Sequence, residues 1–497
     1  MPKKNCIILA LIILTGIYQL HSQEPSNLHK QLAAFAAHAS LKNASWSLHV
    51  AEATTGQPIL SHNSDLALVP ASTQKVVTTA TALLLLGDDY RYATTLSTHG
   101  MVSQEGLLEG DLVIKGSGDP TLGAAQMADS LSLEQVFNRW LSDLKAAGVR
   151  KIAGSIIADD SAFDREMVPR KWLWEDMGNY YGAGASGLTV HENMYTVYFD
   201  GGSRPGEPVK VLGTEPAIPG MILENQLRTG EPGSGDQVYI LGAPYSPLRI
   251  LTGTVPAGAR RFAVKGSIPD PAAYLANAFN QFLQLNGMIT SGNTLSWQQA
   301  RAAGNASLDS RQVISTWWSP PLKDIVKYTN IESNNTYAEN LLKTIGLHNN
   351  GQGTTKEALK GLDQFWTQKG LDTSGMTLHD GSGLSPSNRL TTRQLTHLLA
   401  FCTGQPIYES FRQSLPVAGE TGSLTNLFKN TASQGVLIAK SGYLNNVRAY
   451  AGYTTLQDGT LVAFAFILNN YQGSSSLMRS RMVHLMDAIT THIHSEL

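Results

Sequence analysis

Hydrophobic positions along this chain change period several times, and each change marks an element. Between Pro25 and Ala39 the apolar residues fall at helical spacing. Trp46 to Ala53 alternates apolar with polar, which predicts a half-buried strand. Thr54 to Pro58 reads as its turn, and Ile59-Leu60 as the start of a returning strand. Pro70 to Gly87 is different. After Thr73-Gln74 it is apolar on nearly every face and ends at a glycine, so it predicts a buried helix.

Beyond Tyr90 short strand patterns take over: Asp111–Lys115, Ile152–Ala158, Tyr195–Phe199, Gln237–Leu241 and Arg261–Val264, separated by Gly- and Pro-rich turns. One amphipathic helix, Ser132–Ala147, interrupts them. Helical patterns return at Leu322–Thr329, Thr336–Ile345, Thr355–Lys369 and Thr392–Ala400. A strand pair, Arg448–Thr455 and Thr460–Asn469, is joined through Gln457-Asp458-Gly459, and a helix over Ser475–His492 closes the chain. The pattern divides the protein into a leader (1–22), a first catalytic part (23–90), a β-rich inserted region of one or two subdomains (91–304) and a second catalytic part (305–497).

The leader follows from its first residues. Lys3 and Lys4 precede an apolar run from Cys6 to about Ile17 and a polar exit, the three-part layout of a secretory signal peptide cut after Ser22. A retained membrane anchor is the alternative, although the run is short for a bilayer. Cleavage would leave Cys402 alone, so no internal disulfide is expected in spite of export. The chain has 497 residues, 42% of them hydrophobic, and a formal charge of -2. It can therefore build full cores but lacks the basic face that nucleic acid requires.

Chemistry enters where a polar pair interrupts an apolar helix. Ser72 opens the 70–87 segment and Lys75 stands one turn later, over the same face. An amine buried there loses hydration of its charged form, so its pKa falls and it can serve as base for the serine hydroxyl. Helix capping is the bland alternative for Ser72. A second Ser-x-x-Lys, Ser142 with Lys145, lies on the polar side of its helix and reads as a solvated face. Ser333-Asn334-Asn335 falls between two helical patterns, and Lys440-Ser441-Gly442 ends an apolar strand. Capping and a strand-end turn are their ordinary readings.

The order of the three triplets is far more specific than any one of them. Ser-x-x-Lys, Ser-x-Asn and Lys-Ser-Gly in this sequence resemble the set of the penicillin-binding proteins and serine β-lactamases. Ser333 stands 258 positions after Lys75 (333 − 75), with the β-rich block between, an arrangement similar to the class C low-molecular-mass penicillin-binding proteins of penicillin-binding protein 4 type. LVIKGSGDPTL (112–122), IADDSAF (157–163), YYGAGASGL (180–188), SPPLKDIVKYTNIESNNTYAENLL (319–342) and HDGSGLSPSNRLT (379–391) extend the resemblance over nearly the whole mature chain. Asn334 replaces a frequent Asp, Ser441 a commoner Thr, and Tyr443 a small hydroxyl residue. Tyr328-Thr329-Asn330 competes as a Tyr-x-Asn motif, but its flanks fit the family less well.

The resemblance implies an α+β fold: a transpeptidase-like domain with a helix-flanked antiparallel sheet, completed by both chain ends. It implies a serine-type D-Ala-D-Ala carboxypeptidase or DD-endopeptidase acting on peptidoglycan stem peptides, exported to the periplasm or cell-wall side, and acylated by β-lactams. A β-lactamase or esterase on the same fold, and an inactive wall-binding scaffold, are the alternatives. Ser72 would be the nucleophile, with Lys75, Ser333, Asn335 and Lys440 as its catalytic partners. Ser441, Gly442 and Tyr443 would bind substrate. Asp159 would face the substrate's amino-bearing side chain, with Asp160 competing and a turn-stabilising role as the plain alternative. No cofactor or metal is expected: His191-Glu192 lacks a second histidine at helical spacing, and no Gly-x-Ser-x-Gly elbow occurs. The export route leaves room for loose membrane association, and no pattern encodes the oligomeric state.

Overall fold

The structure, a computed structural model, describes residues 27–124, 127, 131–304 and 311–493. The expected signal peptide, with Cys6, lies outside the described residues. Among those described, no helix is long and apolar enough to cross a membrane.

A five-stranded antiparallel sheet organises the catalytic part, in the order Ile438–Leu444, Val447–Thr455, Leu461–Asn469, Ser45–Glu52 and Pro58–His62. The first and last thirds of the chain meet at its centre, where Ser45–Glu52 pairs with Leu461–Asn469. The latter strand reads as continuously apolar because both its faces are buried. Val462, Phe464, Phe466 and Leu468 join a core with Phe35, Met478 and Met482, while Ala463, Ala465 and Ile467 join another with Val76, Ala80 and Leu341. Each fully buried large side chain contributes about 2 kcal/mol. The first core lies under the helices Asn27–Ala36 and Ser475–Thr490. The second fills the layer formed by the helices Lys75–Leu86, Leu322–Ile331, Asn335–Asn350, Thr355–Gln368 and Thr392–Thr403. Every residue of Lys75–Leu83 is buried, as an all-round apolar pattern requires.

The inserted region is built from a seven-stranded, a four-stranded and a three-stranded sheet, and one buried cluster runs through all three. Three features depart from the pattern reading. The strand Gln312–Trp318 pairs with Ala93–Val102 inside the seven-stranded sheet, so the chain leaves this region after Trp318 rather than at 304. The expected strand Ile152–Ala158 is two strands, Lys151–Ile152 and Ile156–Asp159. Gly154 separates them, where a Cβ would stand 2.3 Å from the Gly110 carbonyl oxygen. Helices Pro271–Leu285 and Trp297–Ala302 were not expected. The longer one carries a local signal all the same: Pro271 occupies its first turn, and the Asp270 carboxylate accepts from Ala273 N at 2.9 Å.

The segment 163–193 of the inserted region joins the two parts. Phe163 bridges to Gly353, the buried Lys343 ammonium pairs with Asp164 at 2.7 Å, and Thr336 Oγ1 donates to the Ala183 carbonyl at 2.8 Å. Val168, Trp172 and Leu384 share a small apolar cluster with Met177, Tyr181 and Leu444. The inserted region is therefore one wall of whatever opens beside the Asn335–Asn350 helix.

Candidate active site

Ser72 does not cap its helix. It sits in a tighter turn, Ala71–Gln74, and the α-helix starts only at Lys75. Ala71 has φ 47°, a left-handed conformation that is costly for a residue with a Cβ. The turn lifts the Ser72 hydroxyl off the helix axis and leaves it half-buried beside the fully buried Lys75 amine.

Lys75 Nζ has three partners: Ser72 Oγ at 3.1 Å, Asn335 Oδ1 at 2.6 Å and the Ser382 carbonyl at 2.8 Å. Burial lowers its pKa to about 7, against the opposing pull of Asp380 and Glu339. The geometry decides what the neutral amine can do. Asn335 Oδ1 and the Ser382 carbonyl can only accept, so they take its two N–H groups, and the lone pair is left facing the Ser72 hydroxyl, the one partner able to donate.

Lys440 approaches from the sheet. Its fully buried Nζ donates to Ser333 Oγ and to the Ser441 carbonyl, both at 2.9 Å. Burial, reinforced by the charge of Lys75, holds its pKa well below the usual lysine range. Ser333 lies between helices with φ 55°. Ser441 Oγ donates to Ser423 Oγ at 2.7 Å, which makes Ser423 an unanticipated member of the group. The strand Ile438–Leu444 does not end at Gly442 as expected but continues past it to a hairpin. Gly442 is required by proximity. A Cβ there would stand 2.7 Å from the Pro70 carbonyl and 3.0 Å from Ser72 N. Tyr443 follows with its ring exposed and the Arg448 guanidinium 4.4 Å from the ring centre.

The three triplets thus converge. The competing Tyr328–Asn330 stretch does not join them: Asn330 is buried and donates to Thr79 Oγ1 and Ser414 Oγ, at 3.2 and 2.9 Å. Asp159 is held by partners of its own. Its buried carboxylate pairs with Arg311 at 3.0 Å and accepts from Ser161 N at 3.1 Å, so it stabilises a turn within the inserted region. Asp160 faces Asp270 and Arg165, and burial first, then Asp270, raises its pKa to about 6. Asp176 is one carboxyl linked to the converging group. It lies near Tyr181, whose carbonyl accepts from Asn335 Nδ2 at 2.8 Å, and burial raises its pKa to about 6. Asp176 lies four residues before the family-like stretch 180–188, which was the available pointer.

A second layer also escaped the sequence reading. Glu339 accepts from the Gly381 and Ser382 amides at 2.8 to 3.0 Å, fixing the carbonyl that Lys75 uses. Burial, then Asp380, raises its pKa to about 7. The buried Asp380 accepts from Trp172 Nε1, Ser385 N and Asn388 Nδ2 at 2.7 to 2.8 Å and from Gln74 Nε2 at 3.0 Å. The family-like text at 379–391 marked this loop without revealing its task.

The D-Ala-D-Ala carboxypeptidase 3 (S13) family model matches residues 28–491. The D-alanyl-D-alanine carboxypeptidase of Actinomadura sp. (strain R39) is 31% identical over 472 residues, covering 91% of this chain and 82% of that protein. The D-alanyl-D-alanine carboxypeptidase DacB of Haemophilus influenzae is 26% identical, covering 84% of this chain and 83% of that one. Among solved structures, penicillin-binding protein 4 (dacB) of Haemophilus influenzae superposes with a TM-score of 0.80 at 21% identity, covering 94% of this chain and 100% of that one. Motif order and a match over nearly the full described length agree, and the chain belongs to the D-Ala-D-Ala carboxypeptidase 3 (S13) family.

Proposed function

We propose that this protein is a serine-type D-Ala-D-Ala carboxypeptidase of peptidoglycan stem peptides that acts through an acyl-enzyme on Ser72. The observation that carries the reading is the hydrogen-bond set of Lys75, whose only partner able to donate is the Ser72 hydroxyl. The family match and the Actinomadura relative supply the substrate class.

In the reaction, Ser72 Oγ bonds to the carbonyl carbon between two D-alanines and its proton passes to Lys75. The C–N bond then breaks. Ser333, held by Lys440, relays the proton taken up by Lys75 to the departing amine, so that both Lys75 and Ser333 end as they began. The N–H groups of Ser72 and Tyr443 hold the oxyanion, each typically worth about 3 kcal/mol of barrier. Asn335 orients Lys75, and Lys440 with Ser441 receives the terminal carboxylate. Strand Ile438–Leu444 lies at the sheet edge, where an extended stem peptide can add as a further strand. Water releases the product from Ser72. A β-lactam mimics the dipeptide and leaves a slowly hydrolysed adduct, which separates this reading from a β-lactamase.

The leader sequence supports export to the cell-wall side of a membrane. Asp176, beside Asn335 through Tyr181, is a second candidate carboxyl, with Asp159, for an amino-bearing stem residue. Two measurements test the assignment together: release of D-alanine from a peptide ending in D-Ala-D-Ala, and persistence of a fluorescent penicillin adduct. Rapid turnover of penicillin without release of D-alanine would favour the β-lactamase alternative.

A further inference from the structure

Three consecutive residues of the inserted region, His191, Glu192 and Asn193, adopt left-handed backbone with φ 50°, 56° and 55°. Each such residue with a side chain costs on the order of 1 kcal/mol, so a run of three must be held from outside. It is. His191 N donates to the Leu122 carbonyl at 3.1 Å, and Asn193 Nδ2 donates to Gly184 O at 2.8 Å. The Asn193 carbonyl accepts from Ile268 N at 2.7 Å. The result is to turn one carboxylate out of the inserted region and into the catalytic part. Glu192 is buried, and its two oxygens accept from Tyr328 OH and from Asn334 Nδ2, each at 2.9 Å.

Asn334 is the middle residue of the second triplet. Its Oδ1 accepts from Tyr337 N at 3.1 Å and caps the Asn335–Asn350 helix, so its Nδ2 is the group left for Glu192. Its neighbours are Ser333, which is left-handed and meets Lys440, and Asn335, which meets Lys75. An aspartate at 334 would keep the cap but lose the donor, and would set a second carboxylate against Glu192 in a buried place.

We propose that Glu192 is a positioning residue, acting through the Asn334 amide to hold Ser333 and Asn335 in place, and that this contact imposes asparagine at position 334. The inference rests on the proposed roles of Ser333 and Asn335. The inserted region, on this view, sets the geometry of the reacting groups as well as walling the cleft.

The test is a reciprocal exchange read by the rate of acylation with fluorescent penicillin, with melting temperature as the folding control. Asn334→Asp retains the helix cap and should slow acylation about tenfold to a hundredfold. Adding Glu192→Gln should restore most of that rate, because the glutamine amide donates to Asp while its carbonyl accepts from Tyr328. Glu192→Ala alone should slow acylation about tenfold, and Glu192→Gln alone should lose less. These two decide the matter if the Asp variant fails to fold. Wild-type acylation by Asn334→Asp or by Glu192→Ala, or no recovery in the double variant, overturns the inference. Ser72→Ala, run alongside, must lose the label. Persistence there overturns the nucleophile assignment instead, so the two failures are distinct.

Discussion

Twice in this protein a serine stands three residues before a lysine, and the two pairs sit in opposite surroundings. Ser142 and Lys145 lie on the helix Leu133–Ala146, both exposed, while Leu141 and Leu144 beside them face the core. Ser72 and Lys75 have the same spacing, but Lys75 is wholly buried and its amine is shared among Ser72, Asn335 and Ser382. Spacing puts an amine within reach of a hydroxyl. Removal of water, and partners that leave the lone pair one direction, suit that amine to the role of base proposed for it.

The largest expected effect tests the comparison directly. Ser72→Ala should abolish covalent penicillin labelling and reduce D-alanine release by about four to six orders of magnitude, whereas Ser142→Ala should leave both at the wild-type level. Labelling that survives in the first variant would transfer the nucleophile elsewhere.

The next effect concerns the base. With a Lys75 pKa of about 7, the neutral amine is scarce below that pH and dominant above it. Acylation should therefore rise about tenfold per unit up to pH 7 and then level, because only the neutral form accepts the serine proton. Lys75→Arg keeps its charge at all accessible pH, and should lose both the step and about two to four orders of magnitude in rate. Lys145→Arg should preserve the wild-type profile. A step unchanged in Lys75→Arg would assign it to another group.

Gly442→Ala is expected to act more mildly. The new methyl presses on Pro70 and Ser72, so turn and strand must separate by a few tenths of an ångström. Overpacking of this kind costs about 1–3 kcal/mol, here felt as roughly tenfold or more in acylation rate. Normal acylation with an intact fold would show that the approach of this strand is not needed.

The smallest effect belongs to the inert helix. Ser132 and Gln135 form a reciprocal cap at its start, at 3.3 and 2.9 Å. Ser132→Ala should lower stability by about 1 kcal/mol in a melting experiment and leave acylation unaltered. A loss of acylation would mean that this helix is coupled to the reaction after all.

How much of this was legible beforehand varies with the range of the forces involved. Period-2 and period-3.6 patterns located the catalytic sheet and most of its helices, since one residue's neighbours along an element decide which face it shows. The same reasoning missed Pro271–Leu285, although Asp270-Pro271 announces its start, because the surrounding Gly- and Pro-rich text favoured strands. It also gave no sign of the ion pair that Asp159 makes. Acidic residues in a turn look alike in sequence, and Arg311, the partner that neutralises Asp159, lies 152 positions away.

By itself the sequence determined which chemical groups the protein has and in what order: a serine and lysine one turn apart, a Ser-x-Asn corner, and a lysine on a late strand. Local periodicity also determined most of the elements that carry them. Only the tertiary structure decided that Lys75 is dry and shared with a carbonyl 307 positions away, and that Gly442 must lack a side chain. It alone decided that Glu192 reaches Asn334 across 142 positions. Desolvation and hydrogen-bond direction depend on atoms brought together by folding, and sequence spacing carries no record of those distances.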